Sequence, residues 1–91
     1  MAGWVAADNV VTADLGDGLA LLDLRTNQYF SLNDVGAFVW QELQTPKRRE
    51  EIVDAVTERY EVSAADCAPD IDALLEEFRD AALVEQRDAA A

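Results

Sequence analysis

Between residues 10 and 32 the apolar positions come in short runs separated by turn residues, and from residue 33 onward they recur at helical spacing. The stretch "VVTADLGDG" leads into Gly16-Asp17-Gly18, a strong turn signal, and "LALLDL" follows it. Arg25-Thr26-Asn27 makes a second turn, after which "QYFSL" returns as a third strand. Three short strands joined this tightly predict an antiparallel meander. In the middle strand Leu19, Leu21 and Asp23 share one face, and Ala20, Leu22 and Leu24 share the other. Both faces are largely apolar, so one is expected to pack on helices and the other to be partly covered.

Asn33 is a good helix N-cap, and Val35, Phe38, Val39 and Leu43 follow it at helical spacing, with Trp40 at the edge of the stripe. Thr45-Pro46 offers a second cap with proline in the first helical position, predicting a helix over about 46–60 with Ile52, Val53, Val56 and Tyr60 on one face. Its basic start, Lys47-Arg48-Arg49, opposes the helix dipole and is expected to be solvated. "SAAD" at 63–66 matches a capping box, but Pro69 falls where a helix begun at Ser63 would be interrupted. A loose turn at 63–66 and a main helix over about 67–82 are therefore predicted, with Ile71, Leu74, Leu75, Phe78 and Ala82 as its apolar arc. Residues 1–9 and 85–91 are expected to be flexible ends around one domain spanning 10–84. The order of strands then helices gives an α+β fold, a three-stranded antiparallel sheet followed by three helices on the winged helix-turn-helix plan.

Charge changes the picture of what such a fold could bind. The 91 residues carry 19 acids against 7 bases, a net charge of −12. A surface of that sign repels phosphate backbones and anionic membranes, which argues against nucleic-acid and membrane partners. In a winged helix-turn-helix the last helix usually enters the DNA groove; here it carries Asp70, Asp72, Glu76, Glu77 and Asp80 against Arg79 alone. No apolar run approaches the ~20 residues of a membrane span, and the start of the chain lacks the regions of a signal peptide. A soluble, cytoplasmic protein is expected.

Catalytic chemistry finds little purchase. There is no histidine and one cysteine, Cys67, which removes structural zinc, Cys-His pairs and Ser-His-Asp triads. A lone thiol cannot form an internal disulfide and suits a reducing compartment; Cys67 is expected to be a small, partly buried side chain. Asp66, Asp70 and Glu77 lie on one flank of the last helix, where carboxylates could do acid–base work or hold magnesium; a solvated acidic face is the simpler reading. No enzyme and no cofactor or metal is predicted. What remains is an edge. If "QYFSL" borders the sheet, its unpaired N–H and C=O groups form a template for an added strand. The last helix would supply the second wall of a groove, with Asp66, Asp70, Ala73 and Glu77 along its rim. An edge covered by the chain's own tail, or by a permanent partner, is the alternative.

Three segments, "LLDLRTNQYFSLNDVGAFVWQEL", "EEIVDAVTERYEVS" and "DIDALLEEFRDAALV", together resemble the PqqD-like family. These are RiPP recognition elements, which bind the leader peptides of ribosomally made, modified natural products. The resemblance spans roughly residues 15–84. It rests on a strand ending in Leu32-Asn33, Gly36 in the first helix, Trp40 one turn on, and Asp70 with Leu74-Leu75 in the last helix. It implies a winged-helix-like fold in which a leader adds as an antiparallel strand beside the third strand, against the third helix. Carried over by position, Gln28, Tyr29, Phe30, Ser31 and Leu32 would pair with the leader, and Asp70, Ala73, Leu74 and Glu77 would form the helix wall. The hairpin is most similar to those of the stand-alone recognition proteins of lasso-peptide pathways. Those proteins deliver a precursor to a separate cysteine protease that removes the leader, with a cyclase as a further partner. The alternatives are a PqqD-type chaperone for a radical-SAM or other RiPP-modifying enzyme and, behind it, a winged-helix regulator. A monomer is expected, with dimerisation through the edge strand as the alternative.

Overall fold

The computed structural model describes residues 2–88. Its elements run in the order β1 (Ala2–Ala6), β2 (Val10–Asp14), β3 (Leu19–Asp23), β4 (Gln28–Leu32), α1 (Asp34–Glu42), α2 (Arg49–Tyr60), α3 (Ala64–Asp80) and β5 (Val84–Asp88). The predicted meander is there: β2, β3 and β4 pair antiparallel in that order, Val10 opposite Asp23 at one end and Leu19 opposite Leu32 at the other. Gly18 matters at the start of β3, because a Cβ there would lie 2.0 Å from the carbonyl oxygen of Leu32. The α+β plan of a three-stranded antiparallel sheet and three helices therefore holds.

The helices cover the face of β3 that carries Leu19, Leu21 and Asp23, all three buried. Leu21, Val39, Leu43 and Ile52 are fully enclosed, and Ile71, Leu75 and Phe78 of α3 complete the core. Trp40 is 2% exposed, so it belongs to the centre of the core and not to the edge of a stripe. Its ring meets Phe78 edge-on at 5.5 Å. Asn33 caps α1 as expected, its Oδ1 accepting from the Gly36 N–H at 2.9 Å.

Several further expectations change. Residues 46–47 are not helical, because Lys47 is held in an extended bridge to Trp4, each amide bonding the other's carbonyl at 2.7 and 2.9 Å. Arg48 is consequently the cap of α2, and its amide donates to Glu51 Oε1 at 2.8 Å. The basic residues around this start are not simply solvated either: Lys47 Nζ donates to Glu42 O and Thr45 Oγ1, and Arg49 forms a forked ion pair with Asp72 of α3. α3 starts at Ala64 and runs through Pro69; Ser63 captures the Asp66 amide at 3.2 Å, and this cap outweighs the one main-chain bond that proline forgoes. Finally, Ala2–Ala6 and Val84–Asp88 are not loose ends but pair with each other antiparallel, Ala6 opposite Val84. Of the other positions expected to be flexible, Ala7 is buried and Asp8-Asn9 form the turn into β2, while Met1 and Ala89–Ala91 lie outside the described residues. Ala82, expected in the apolar arc, sits beyond α3 in the left-handed region at φ 58°.

Candidate functional site

β4 is an edge strand, paired on one side with β3 and with no strand on the other among the described residues. Two turn bonds fix which of its groups are free. The Leu15 N–H donates to Gly18 O, and the Leu24 N–H donates to Asn9 O. Hydrogen-bonded pairs alternate along an antiparallel ladder, so Ala20 and Leu22 bond towards β2 while Leu19, Leu21 and Asp23 bond towards β4. On β4, the amides and carbonyls of Gln28, Phe30 and Leu32 are thereby used. Those of Tyr29 and Ser31 point outward, to the open edge.

Side chains alternate in step. Gln28, Phe30 and Leu32 share the helix-facing side with the buried residues of β3, whereas Tyr29 and Ser31 face solvent, Tyr29 at 76% exposure. Phe30 and Leu32 are half-buried against the core. Beside them opens a cleft of about 260 Å³ lined by Phe30, Ser31 and Leu32 of β4, by Glu77 and Phe78 of α3, and by Ala81 and Leu83. Further along α3 a second, mostly apolar cavity of about 440 Å³ is lined by Val35, Val56, Tyr60, Val62, Asp66, Cys67, Asp70, Ile71 and Leu74. The row Asp66, Asp70, Leu74, Glu77 and Ala81 advances about one turn at a time, so both hollows lie along one flank of α3.

The structure thus brings Phe30, Ser31, Leu32 and Glu77 together in one cleft, and Asp66, Asp70 and Leu74 in the next. Gln28 and Tyr29 lie on the edge outside both, and exposed Ala73 lines neither. Val35, Tyr60 and Val62 were not anticipated as site residues. Val35 and Val62 are 37% and 40% exposed; Val62 lay outside every predicted stripe, which was the signal available for it, whereas Val35 was counted in the stripe of α1 and gave none. The Tyr60 hydroxyl donates to Asp34, and burial first, then this bond, pushes its phenol up.

One end of the cleft is braced by Asp23. This 1%-exposed carboxylate accepts from the Asn9 side-chain amide at 2.8 Å and the Arg25 backbone amide at 2.9 Å. The Arg25 backbone bond holds its pKa below the ordinary carboxylate value, against the opposing effect of burial. Arg25 in turn donates to Ala82 O at 3.0 Å, tying the β3–β4 turn to the end of α3. The exposed acids of α3, Asp70, Glu76, Glu77 and Asp80 among them, face solvent. No group of three or more His, Cys, Asp or Glu side chains suited to a metal is found among the described residues. Among the same residues no helix is long and apolar enough to cross a membrane.

The family model for coenzyme PQQ synthesis protein D (PqqD) matches residues 18–84, from the start of β3 to the start of β5. The chain belongs to the PqqD family. Two solved structures share the fold of this PqqD-family chain closely. One, described as TbiB1 in complex with the TbiA(beta) leader peptide, is 37% identical with a TM-score of 0.80, over 89% of this chain and 94% of that one. The other, a lasso peptide synthetase B1 complexed with the leader peptide, is 26% identical with a TM-score of 0.77, over 91% and 98%. No curated protein matches.

Proposed function

We propose that this PqqD-family protein is a non-catalytic recognition protein for a precursor peptide. It binds the precursor's leader as an extra antiparallel strand on β4 and delivers it to separate processing enzymes, in lasso-peptide biosynthesis. The observation that carries the reading is the free edge of β4 opening onto an apolar cleft against α3, in a fold shared at 37% identity with a protein solved with its leader peptide. Outward main-chain groups of Tyr29 and Ser31 supply affinity, and alternate guest side chains enter the hollows beside Phe30, Leu32, Leu74 and Glu77. Gln28, Asp66, Asp70 and Ala73 border the guest. The partners are a leader peptidase of the cysteine protease type and a cyclase, and the protein acts as a cytoplasmic monomer that meets neither nucleic acid nor membrane.

The matching family is named for coenzyme PQQ synthesis, and membership in it keeps open the second reading, a chaperone that presents a peptide to a radical-SAM or other modifying enzyme. Both readings use the same groove and differ in the enzyme that receives the peptide. The test is a calorimetric titration with the leader of the precursor encoded beside this gene, with backbone NMR on the labelled protein. Saturable binding at about micromolar or tighter, with shifts clustered at 28–32 and 66–77, is expected. No binding by a folded protein would overturn the reading.

A further inference from the structure

The sheet has a second free edge, along β2. The ladder that leaves Tyr29 and Ser31 open on β4 leaves Val10, Thr12 and Asp14 open on β2, and among the described residues no strand pairs with them. Edge strands are ordinarily blunted by proline, an inward lysine or a bulge. β2 reads Val-Val-Thr-Ala-Asp in unbroken register with β3; it has no proline, lysine or bulge, and its one charge, Asp14, stands at the end of the strand opposite Leu19. On its helix-facing side lies the largest hollow described, about 690 Å³, with Val5, Val10, Leu19 and Trp40 in its walls and Gln44 and Pro46 at the end of α1.

We propose that β2 is a second strand-addition edge, one that receives a basic, extended segment of another protein while the leader occupies β4. Charge selects this occupant. Residues 1–24 contain Asp8, Asp14, Asp17 and Asp23 and no Lys or Arg; Arg87, paired with Glu85, is the one cation among the described residues that line the hollow, where it stands with Asp8. Asp8, Asp14 and Asp17 are exposed along and beside the edge, while Asp23 is internal. A second copy of this chain would bring its own net charge of −12 to an already acidic edge; a strand carrying Lys or Arg meets that edge favourably. Apolar side chains of that strand enter the hollow over Val10 and Trp40, and its main chain bonds to Val10, Thr12 and Asp14.

The inference rests on the proposed function only for its probe, the purified leader peptidase encoded beside this gene. Its affinity for the leader-saturated protein is measured by biolayer interferometry, alongside leader affinity by calorimetry. Thr12→Pro removes one outward donor and no β2–β3 bond, and is expected to weaken the peptidase about tenfold while leaving leader affinity unchanged. Should Thr12→Pro unfold the protein, Asp8→Lys with Asp17→Lys serves instead, expected to weaken the peptidase by a similar factor and to flatten its salt dependence. Unaltered peptidase affinity in a folded variant overturns the proposal, as does wild-type protein that binds leader and no peptidase. Dimerisation of the wild type lost in Thr12→Pro would assign the edge to a second copy and also overturn it. Failure of the wild type to bind leader strikes the function proposed above and leaves the β2 comparison to be read from the peptidase alone.

Discussion

β4 and β2 leave alternate main-chain groups unpaired in the same way, yet the surfaces they border differ in depth, composition and charge. Beside β4 the hollow is small and is continued along α3 by a second, largely apolar one, with carboxylates on the helix rim. Beside β2 the hollow is larger, more polar at its mouth, and walled by α1 and β1 instead of α3. Identical hydrogen-bonding geometry therefore specifies only that a strand can be added. Which strand is decided by what the helices place behind the edge.

Substituting single positions separates the two edges, most sharply at Phe30. Phe30→Asp places a charge in the β4 cleft and is expected to weaken leader binding about 100-fold or more, with far-UV circular dichroism unchanged. Retained affinity would show that the guest does not use this cleft. Gly18→Ala drives a methyl group into Leu32 O and should cost about 1–3 kcal/mol in urea unfolding, because backbone cannot yield as a side-chain tip would. Ser31→Pro removes one outward donor of β4 and should lower leader affinity about tenfold, with peptidase binding to β2 spared. The Asp70→Asn, Glu77→Gln pair should change leader affinity by up to about fivefold at low salt and hardly at all at high salt. A response independent of salt would remove charge from the account of the rim.

The smallest effect is on acid stability. Asp23 has a folded pKa below its unfolded value, so its contribution is fully present above about pH 3.9 and is lost as the pH falls through the lower folded value. Unfolding midpoints measured from pH 6 down to pH 2 should fall less steeply below pH 4 in Asp23→Asn than in the wild type.

The strands of the meander were legible because turn chemistry and alternation both act locally: Gly16-Asp17-Gly18 and Arg25-Thr26-Asn27 bracket β3 as the sequence predicts. Asn33 was legible for the same reason. The β1–β5 ribbon was not, since "VEQRD" has one apolar residue and forms a strand only against a partner some eighty positions earlier. The start of α2 was hidden by that same ribbon, because Trp4 holds Lys47 extended where Pro46 alone suggested a helix. Pro69 misled in the opposite direction, as a local penalty smaller than the cap and the packing of Cys67 and Ile71 that outweigh it. Of the candidate site, the edge residues followed from alternation. The pocket of Val35, Tyr60 and Val62 required knowing how α1, α2 and α3 converge.

The ladder also gives the bound peptide a heading. A guest antiparallel to β4 runs from the Leu32 end towards Gln28, so its upstream residues lie over Val35 and Leu74, and whatever follows the leader departs past the Arg25-Thr26-Asn27 turn. There Asp23, Arg25 and Ala82 lock the hairpin to the end of α3. On the proposed function, the cargo would leave the protein beside the corner that Asp23 and Arg25 fasten, and an enzyme at the cleavage point would meet it at one place and in one direction.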